Sequence, residues 1–186
     1  MILRPLLLFL ILAPCGLFAQ DLTADSTSAL SFVRSVNAPR NAVQLFDSAV
    51  EAWTWTFGKE PGAKVIRSDR NAGVIEGTAR VNFRSEQLVM REESMGTIQY
   101  RIMITVHAGE CRVVITELVH SGNRNTQRGG VHLGLLTRSS MPVNRIRGQG
   151  RSNVVGLYAD VKQQASDRIT TVLQTFASRV RAQAEP

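Results

Sequence analysis

The chain has 186 residues, and its 22 Lys and Arg outnumber its 15 Asp and Glu, which gives a formal charge of +7 at pH 7. This length suits one domain that buries a core of ordinary size, and the charge bears on solubility and association rather than on fold. Beyond the first twenty residues Cys111 is the one cysteine, so the composition excludes an internal disulfide there.

The first twenty residues have the layout of a secretory signal peptide. Arg4 precedes an apolar run from Leu6 to Leu12, and Ala19 supplies a small residue near the expected cut. The run is too short to span a bilayer, which takes about 20 apolar residues, and no later stretch approaches that length. We therefore predict a signal peptide at 1–20, cleavage next to residue 20, and a periplasmic or extracellular protein without a transmembrane helix.

Cys15 leaves a second route open, because it lies roughly where the acylated cysteine of a lipoprotein would lie. Pro14 fits poorly in the place of the small residue expected before such a cysteine. The protein is lipid-anchored only if Cys15 is processed in this way. Both routes take the chain out of the cytoplasm, which excludes genomic nucleic acid as a partner of its basic residues.

The small polar residues 21–28 predict a mobile leader, followed by a single α+β domain at 29–182. ALSFVRSV (29–36) predicts a first strand with Leu30 and Phe32 on one side. Apolar residues then recur every three or four positions, which is typical of a helix with one buried face and is ended by Gly58, Pro61 and Gly62. The members of this stripe are Ala42, Leu45, Phe46, Ala49, Trp53 and Phe57. Trp55 falls off the stripe and is a candidate surface residue.

From residue 63 the apolar period changes to two, which indicates strands. AKVIRS (63–68) predicts a short strand, and GVIEGTARVNFR and TIQYRIMITV predict two longer strands that each have one apolar and one polar face. HAGE forms a tight turn into CRVVITELVH, the partner strand. Short turns between alternating strands predict an antiparallel sheet with one face covered and one solvated, the solvated face carrying Arg101.

Periodicity stops at 121–151, a basic loop that holds six arginines and no Asp or Glu. A loop of about 30 residues without regular structure is either functional or disordered. It includes a short apolar patch, VHLGLL, that can dock on the body of the domain. The last segment, from Val154 to Val180, predicts a helix about 40 Å long, capped by Ser152 or Asn153 and followed by a fraying tail.

Three stretches carry a resemblance to a known family: AVQLFDSAVEAWTWTF, VIRSDRNAGVIEGTARVNF with its G-x-I-x-G spacing, and GTIQYRIMITVHAGECRVVITEL. They are similar to exported bacterial proteins of domain of unknown function 4468, which have a TATA-binding-protein-like (TBP-like) fold. The resemblance covers about residues 29–119 and implies strand, helix, four strands, helix: a four- to five-stranded antiparallel sheet with two helices on one face. It brings no active site, and its fold name does not imply DNA binding.

The residues offer little support for catalysis. His107 beside a hairpin turn and His120 at a strand end are predicted to be ordinary surface residues, and His132 lies in the loop. The three lack the spacing of a zinc site, so no metal is predicted. The sequence lacks G-x-S-x-G, C-x-x-C and a P-loop, and the neighbouring Glu92 and Glu93 are a poor acid–base pair because adjacent side chains point apart. Cys111 is predicted to be a buried apolar residue rather than a reactive thiol. We predict a non-enzyme without a cofactor.

Two binding hypotheses remain, and neither fixes the partner. Arginine forks match anionic groups and glycines let backbone amides approach, so the loop predicts an anion site for an acidic polysaccharide or an envelope protein. Its residues are Arg138, Arg145, Arg147 and Arg151, with Trp55 and Arg101 as further surface candidates. The alternative is a carrier of a small hydrophobic ligand or lipid between the sheet and the last helix. Its pocket would be lined by Ile98, Tyr100, Ile102, Val106, Leu157, Val161 and Ile169.

Overall fold

A computed structural model describes residues 28–86, 94–126, 129–146 and 148–184. The strands are β1 (Phe32–Asn37), β2 (Lys64–Asp69), β3 (Val74–Phe83), β4 (Gly96–His107), β5 (Glu110–Gly122) and the two-residue β6 (Gly134–Leu135). The helices are α1 (Ala42–Trp55) and α2 (Arg151–Ala184), and a 3₁₀ turn spans Phe57–Lys59. The strands form one antiparallel sheet in the order β1-β5-β4-β3-β2, with β6 added beside β5. The predicted strand–helix–four strands–helix order is confirmed, and β6 extends it.

α1 begins where Asn41 caps it, since the side-chain oxygen of Asn41 accepts the Gln44 N–H at 2.9 Å. The helix ends two residues before Phe57, which reaches the core from the 3₁₀ turn instead. Trp53 packs on Phe57 with ring centroids 5.3 Å apart, and Phe57 packs in turn on Phe176 of α2. This aromatic row joins the two helices over one face of the sheet.

Strands β3 and β4 alternate as their sequences predict. Ile75, Ala79 and Phe83 of β3 are buried, and so are all the even-numbered residues of β4 from Ile98 to Val106. Gly77 lies directly under Trp53, because a Cβ atom at Gly77 would stand 2.4 Å from the indole ring. The structure therefore explains the second glycine of the G-x-I-x-G spacing: it lets α1 approach the sheet.

A bulge in β5 changes which of its residues face the core. Arg101 pairs with Thr116 but Gln99 pairs with Val119, so β5 carries one extra residue at this point. Glu117 takes the left-handed conformation with φ of 55°. Cys111, Val113 and Ile115 point inward before the bulge, and Leu118 and His120 do so after it. The prediction that His120 is an ordinary surface residue is wrong, because unbroken alternation would have put it on the solvated face.

Much of the predicted loop is ordered against the body of the domain. β5 runs to Gly122, and residues 129–137, here called the strap, cross its end and contribute β6. Within the strap Val131, Leu133 and Leu136 are buried, which confirms that the apolar patch docks. Thr137 forms a bridge with Ala29, and its N–H donates to Tyr158 Oη of α2 at 2.8 Å.

α2 is longer than the sequence predicts. It starts at Arg151, so Ser152 and Asn153 lie inside its first turn rather than at its cap, and it continues to Ala184 through most of the predicted fraying tail. Its 34 residues span about 51 Å. The apolar pattern misses both ends of α2, because charged residues in the flanking turns interrupt the apolar stripe without interrupting the helix.

Candidate anion-binding groove

A groove of about 470 Å³ lies where the chain enters α2. Its lining residues are Met141, Pro142, Val143, Asn144, Arg145, Ile146, Gln149, Arg151 and Val154. Five of these nine residues are apolar, two are neutral amides and two are arginines. The volume lies in the range of small-molecule sites.

The electrostatics of the groove are positive. Neither Arg145 nor Arg151 takes part in any ion pair within the described residues, and none of the lining residues is acidic. Arg151 approaches Met141 Sδ with Nη2 at 3.7 Å, which leaves most of its donors for another acceptor. The first turn of α2 has no acidic residue, and the first N–H groups of a helix lack partners within it.

Two of the four predicted arginines are therefore brought together. Arg138 is exposed but does not line the groove: its N–H donates to Ser28 O at 3.0 Å, and its carbonyl oxygen lies 3.4 Å from Lys162 Nζ. Arg147 lies outside the described residues. Sequence reasoning missed the contributions of Met141, Pro142 and Gln149, because no periodic pattern marks a groove formed by irregular chain.

The two further surface candidates lie on opposite layers of the molecule. Trp55 is 50% exposed on the helical layer, with Lys59 Nζ 4.8 Å and Arg179 Cζ 5.9 Å from its ring centroid. Arg101 lies on the solvated face of the sheet, between Glu76 at 3.7 Å and Glu117 at 3.6 Å. Since two carboxylates already flank Arg101, it offers an anionic ligand less than Arg145 or Arg151 does.

The residues of the predicted hydrophobic pocket are packed against one another. Ile98, Tyr100, Ile102, Val106, Leu157, Val161 and Ile169 all belong to one buried core cluster. Burial also raises the pKa of the Tyr100 hydroxyl. None of these seven residues lines the groove at the start of α2 or a second groove beside the middle of α2.

A second groove of about 460 Å³ lies beside the middle of α2 and has a different character. It is lined by Glu60, Pro61, Val81, Asn82, Glu86, Gln164, Asp167, Arg168 and Thr171. Its buried carboxylate, Glu60, accepts two hydrogen bonds from Arg168, at 2.6 and 3.2 Å. The charges on that pair are satisfied by each other, which favours a role in holding α2 to the 3₁₀ turn.

The remaining candidate chemistry is sparse in the part of the chain that the structure describes. No cluster of three His, Cys, Asp or Glu side chains there could hold a metal ion. Cys111 is buried as predicted, and burial, with a smaller effect from Glu110, raises the pKa of its thiol to about 12. Neither described helix combines the length and the apolar character needed to cross a membrane. Glu92 and Glu93 lie outside the described residues.

Comparison with solved structures decides the fold. A DUF4468 family protein from Bacteroides ovatus ATCC 8483 has a TM-score of 0.52 at 16% identity, covering 80% of this chain and 86% of the other. A TBP-like protein from Parabacteroides distasonis ATCC 8503 has a TM-score of 0.50 at 13% identity, covering 80% and 92%. The chain has a TBP-like fold. The predicted resemblance is thus confirmed at the level of fold.

Other comparisons add little to the TBP-like fold. The Zhui aromatase/cyclase from Streptomyces sp. R1128 matches with a TM-score of 0.31 at 13% identity over 82% of this chain and 96% of the other, a likeness too weak to bear on function. No protein-family model matches the chain, and no curated protein matches it. At these identities the solved structures establish fold alone, so function must be argued from the groove.

Proposed function

We propose that this protein is an exported, non-catalytic binding domain that holds an acidic envelope polysaccharide in the groove at the start of α2. Arg145 and Arg151 would bind carboxylate or phosphate groups of the polymer, and the apolar wall would pack against the sugar rings. The observation that carries the proposal is that two arginines line one groove and that, among the described residues, neither has an ion-pair partner and no lining residue is acidic.

The surrounding sequence supports the same chemistry. Residues 121–151 carry six arginines and no acidic residue, so the charged side chains of this segment are all positive at neutral pH. Arginine is common throughout this chain, which means that the absence of acids is more informative than the number of arginines. Export rests on the signal-peptide pattern at 1–20, which lies outside the described residues and stays a prediction, as does processing at Cys15.

The carrier hypothesis has weaker support. A carrier needs room between sheet and helix, whereas the residues predicted to line that room form a packed core. Native mass spectrometry of the purified protein tests the carrier separately, since a bound lipid would survive gentle desolvation and appear as a mass increment.

Binding to polygalacturonate, a carboxylated polysaccharide, tests the proposal directly, with neutral dextran as the negative ligand. We expect affinity for polygalacturonate to fall steeply as salt rises from 50 to about 300 mM, because bound counterions are released on association. Dextran should not bind. Binding that ignores salt, or equal binding of both polymers, would contradict the proposal.

A matched pair of double variants assigns the effect to the groove. R145Q/R151Q should weaken polygalacturonate binding about tenfold or more and reduce the salt slope by about 2, roughly one per lost contact. R112Q/R181Q removes the same charge from exposed positions outside the groove and should change affinity less than about twofold. Equal losses in the two variants would mean that net charge, rather than this groove, governs binding.

A further inference from the structure

Two histidines join the strap to the end of β5. His120 lies on β5 and accepts the Leu133 N–H of the strap through Nδ1 at 3.4 Å. His132 lies on the strap and accepts the Gly122 N–H of β5 through Nδ1 at 3.2 Å. The two bonds run in opposite directions across the same crossing, and in both the imidazole is the acceptor.

The backbones of β5 and the strap are in close contact where the two segments cross. A Cβ atom at Gly122 would stand 2.6 Å from the backbone N and O of Val131, so backbone lies directly on backbone here. The His120 ring is buried, with its edge against Phe83 at a centroid distance of 5.4 Å. On the β4 side, a Cβ atom at Gly96 would stand 2.8 Å from His120 Nε2. The His120 ring is therefore enclosed by β3 and β4, which leaves it little room to turn towards another partner.

We propose that the strap is an acid-sensitive latch, which stays docked while His120 is neutral and releases from β5 when His120 takes up a proton. Protonation places a hydrogen on Nδ1 of His120, so the ring then presents a donor to the Leu133 N–H, which needs an acceptor. His120 Nε2 has no hydrogen-bond partner within the described residues, so the buried cation would gain nothing there in return.

The surroundings of His120 disfavour its protonated form while the strap is docked. Burial, and secondarily the positive charge of His132, lower the pKa of His120 to about 4. No carboxylate among the described residues contributes to that shift, whether from β3, β4, the strap or β5 itself. Since the pKa is lowered in the docked state, docking is fully favoured above pH 6.5 and is lost as the pH falls from 6.5 through about 4. These values correspond to a rise of about 100-fold in the opening constant of the strap between pH 7 and pH 4.

Hydrogen exchange on the mature chain, residues 21–186, tests the latch. After correction for intrinsic rates, protection of the Leu133 amide should fall about 100-fold between pH 7 and pH 4, while Ile102 in the centre of β4 stays protected. His120→Gln offers an amide oxygen that can accept the Leu133 N–H and does not titrate, so its protection should not depend on pH in this range. His107→Gln changes an exposed histidine and should behave like the wild type.

Three results would overturn the latch: protection of Leu133 that is equal at pH 4 and pH 7, retention of the acid loss in His120→Gln, or simultaneous loss of protection at Leu133 and Ile102. If His120→Gln fails to fold, an NMR titration of the wild type decides the question without a variant. The His120 ring and the Leu133 amide should then titrate with one midpoint, and an amide that does not follow the ring would contradict the proposal.

Discussion

Single glycines set how closely the layers of this domain approach. Gly77 has the tightest fit under a helix, with Trp53 ring carbons 2.4 and 2.8 Å and the Lys64 carbonyl oxygen 2.6 Å from where a Cβ would be. Neither a backbone oxygen nor a buried indole can move aside easily. The spacing of Gly77 from Ile75 in the sequence is therefore a packing signature, which is how it can help to indicate the fold without indicating any chemistry.

Gly77→Ala should lower the free energy of unfolding by about 2–3 kcal/mol, because overpacking forces Trp53 or β2 to shift. Urea denaturation followed by tryptophan fluorescence measures this change. Gly150→Ala is the control: a Cβ there meets no atom within 4 Å, so its effect should stay within about 0.5 kcal/mol. Similar losses in the two variants would mean that Trp53 does not pack against Gly77.

At the scale of elements, the bulge in β5 decides what the second half of that strand does. Glu117 sits in the left-handed region, which costs a residue with a side chain roughly 1–2 kcal/mol. The cost is offset by what the extra residue brings inward, namely Leu118 and His120. Unbroken alternation from Ile115 would bury Glu117 and expose Leu118, so the residue types carry a faint mark of the bulge at these two positions.

Substitutions at Glu117 should rank in the reverse of ordinary strand preference. We expect Glu117→Asn to be at least as stable as the wild type and Glu117→Val to be less stable by about 1–2 kcal/mol, since Asn tolerates the left-handed region and β-branched Val does not. Thermal or urea unfolding gives the ranking. Arg112 lies on a regular, exposed part of the same strand, and there Val should be the better residue. A ranking at 117 that matches that at 112 would exclude the bulge.

The strap is an element that the sequence shows only in part. Its apolar residues predict that it docks on the domain. Residues far apart in the chain determine the rest, namely β6, the bridge to Ala29 and the hydrogen bond to Tyr158. Leu136→Ala should cost about 2–4 kcal/mol of unfolding free energy, because this side chain is 0% exposed. The neighbouring Leu135 is 41% exposed, so Leu135→Ala should cost less than about 1 kcal/mol. If the two variants unfold alike, the strap does not dock as described.

For the molecule as a whole, α2 is the element that ties the other parts together. Its Tyr158 holds the strap, and its Asp160 accepts hydrogen bonds from Ser85 Oγ at 2.7 Å and the Glu86 N–H at 2.9 Å. Arg168, farther along, reaches Glu60 beyond the 3₁₀ turn. Three distant segments are thus fixed by polar groups spread over eleven residues of one helix.

A double-mutant cycle tests the last of these ties. Arg168→Met should cost about 3 kcal/mol, because it leaves the Glu60 carboxylate buried at 3% side-chain exposure without its partner. Glu60→Leu/Arg168→Met removes both charges and should be more stable than Arg168→Met alone. Chemical denaturation of the wild type, both single variants and the double variant gives the coupling energy. A coupling near zero would show that the two side chains do not form a pair in solution.

The sequence predicts the body of this fold well because its signals are local. Alternation in β3 and β4 and the stripes of α1 and α2 follow from neighbouring residues, and the side chains they mark are buried, except Val81, which is half-buried, and Ala42, which is exposed at the start of α1. The errors arise where tertiary structure decides: His120 turned inward by a bulge, and α2 extended past its apolar stripe. Only part of the groove at the start of α2 could be predicted from the sequence. Arg145 and Arg151 stood out by charge, but their separation from Arg138 depends on the path of the chain between them.

We propose that an acidic polymer binds at the start of α2. NMR shift mapping tests this binding most directly, by adding short oligogalacturonates to the isotopically labelled protein. If the polymer binds there, the largest chemical-shift changes fall on the side-chain resonances of Arg145 and Arg151 and on the backbone amides of residues 149–154. Shifts concentrated around Trp55 or on the Arg101 face of the sheet, with the start of α2 unchanged, would contradict it.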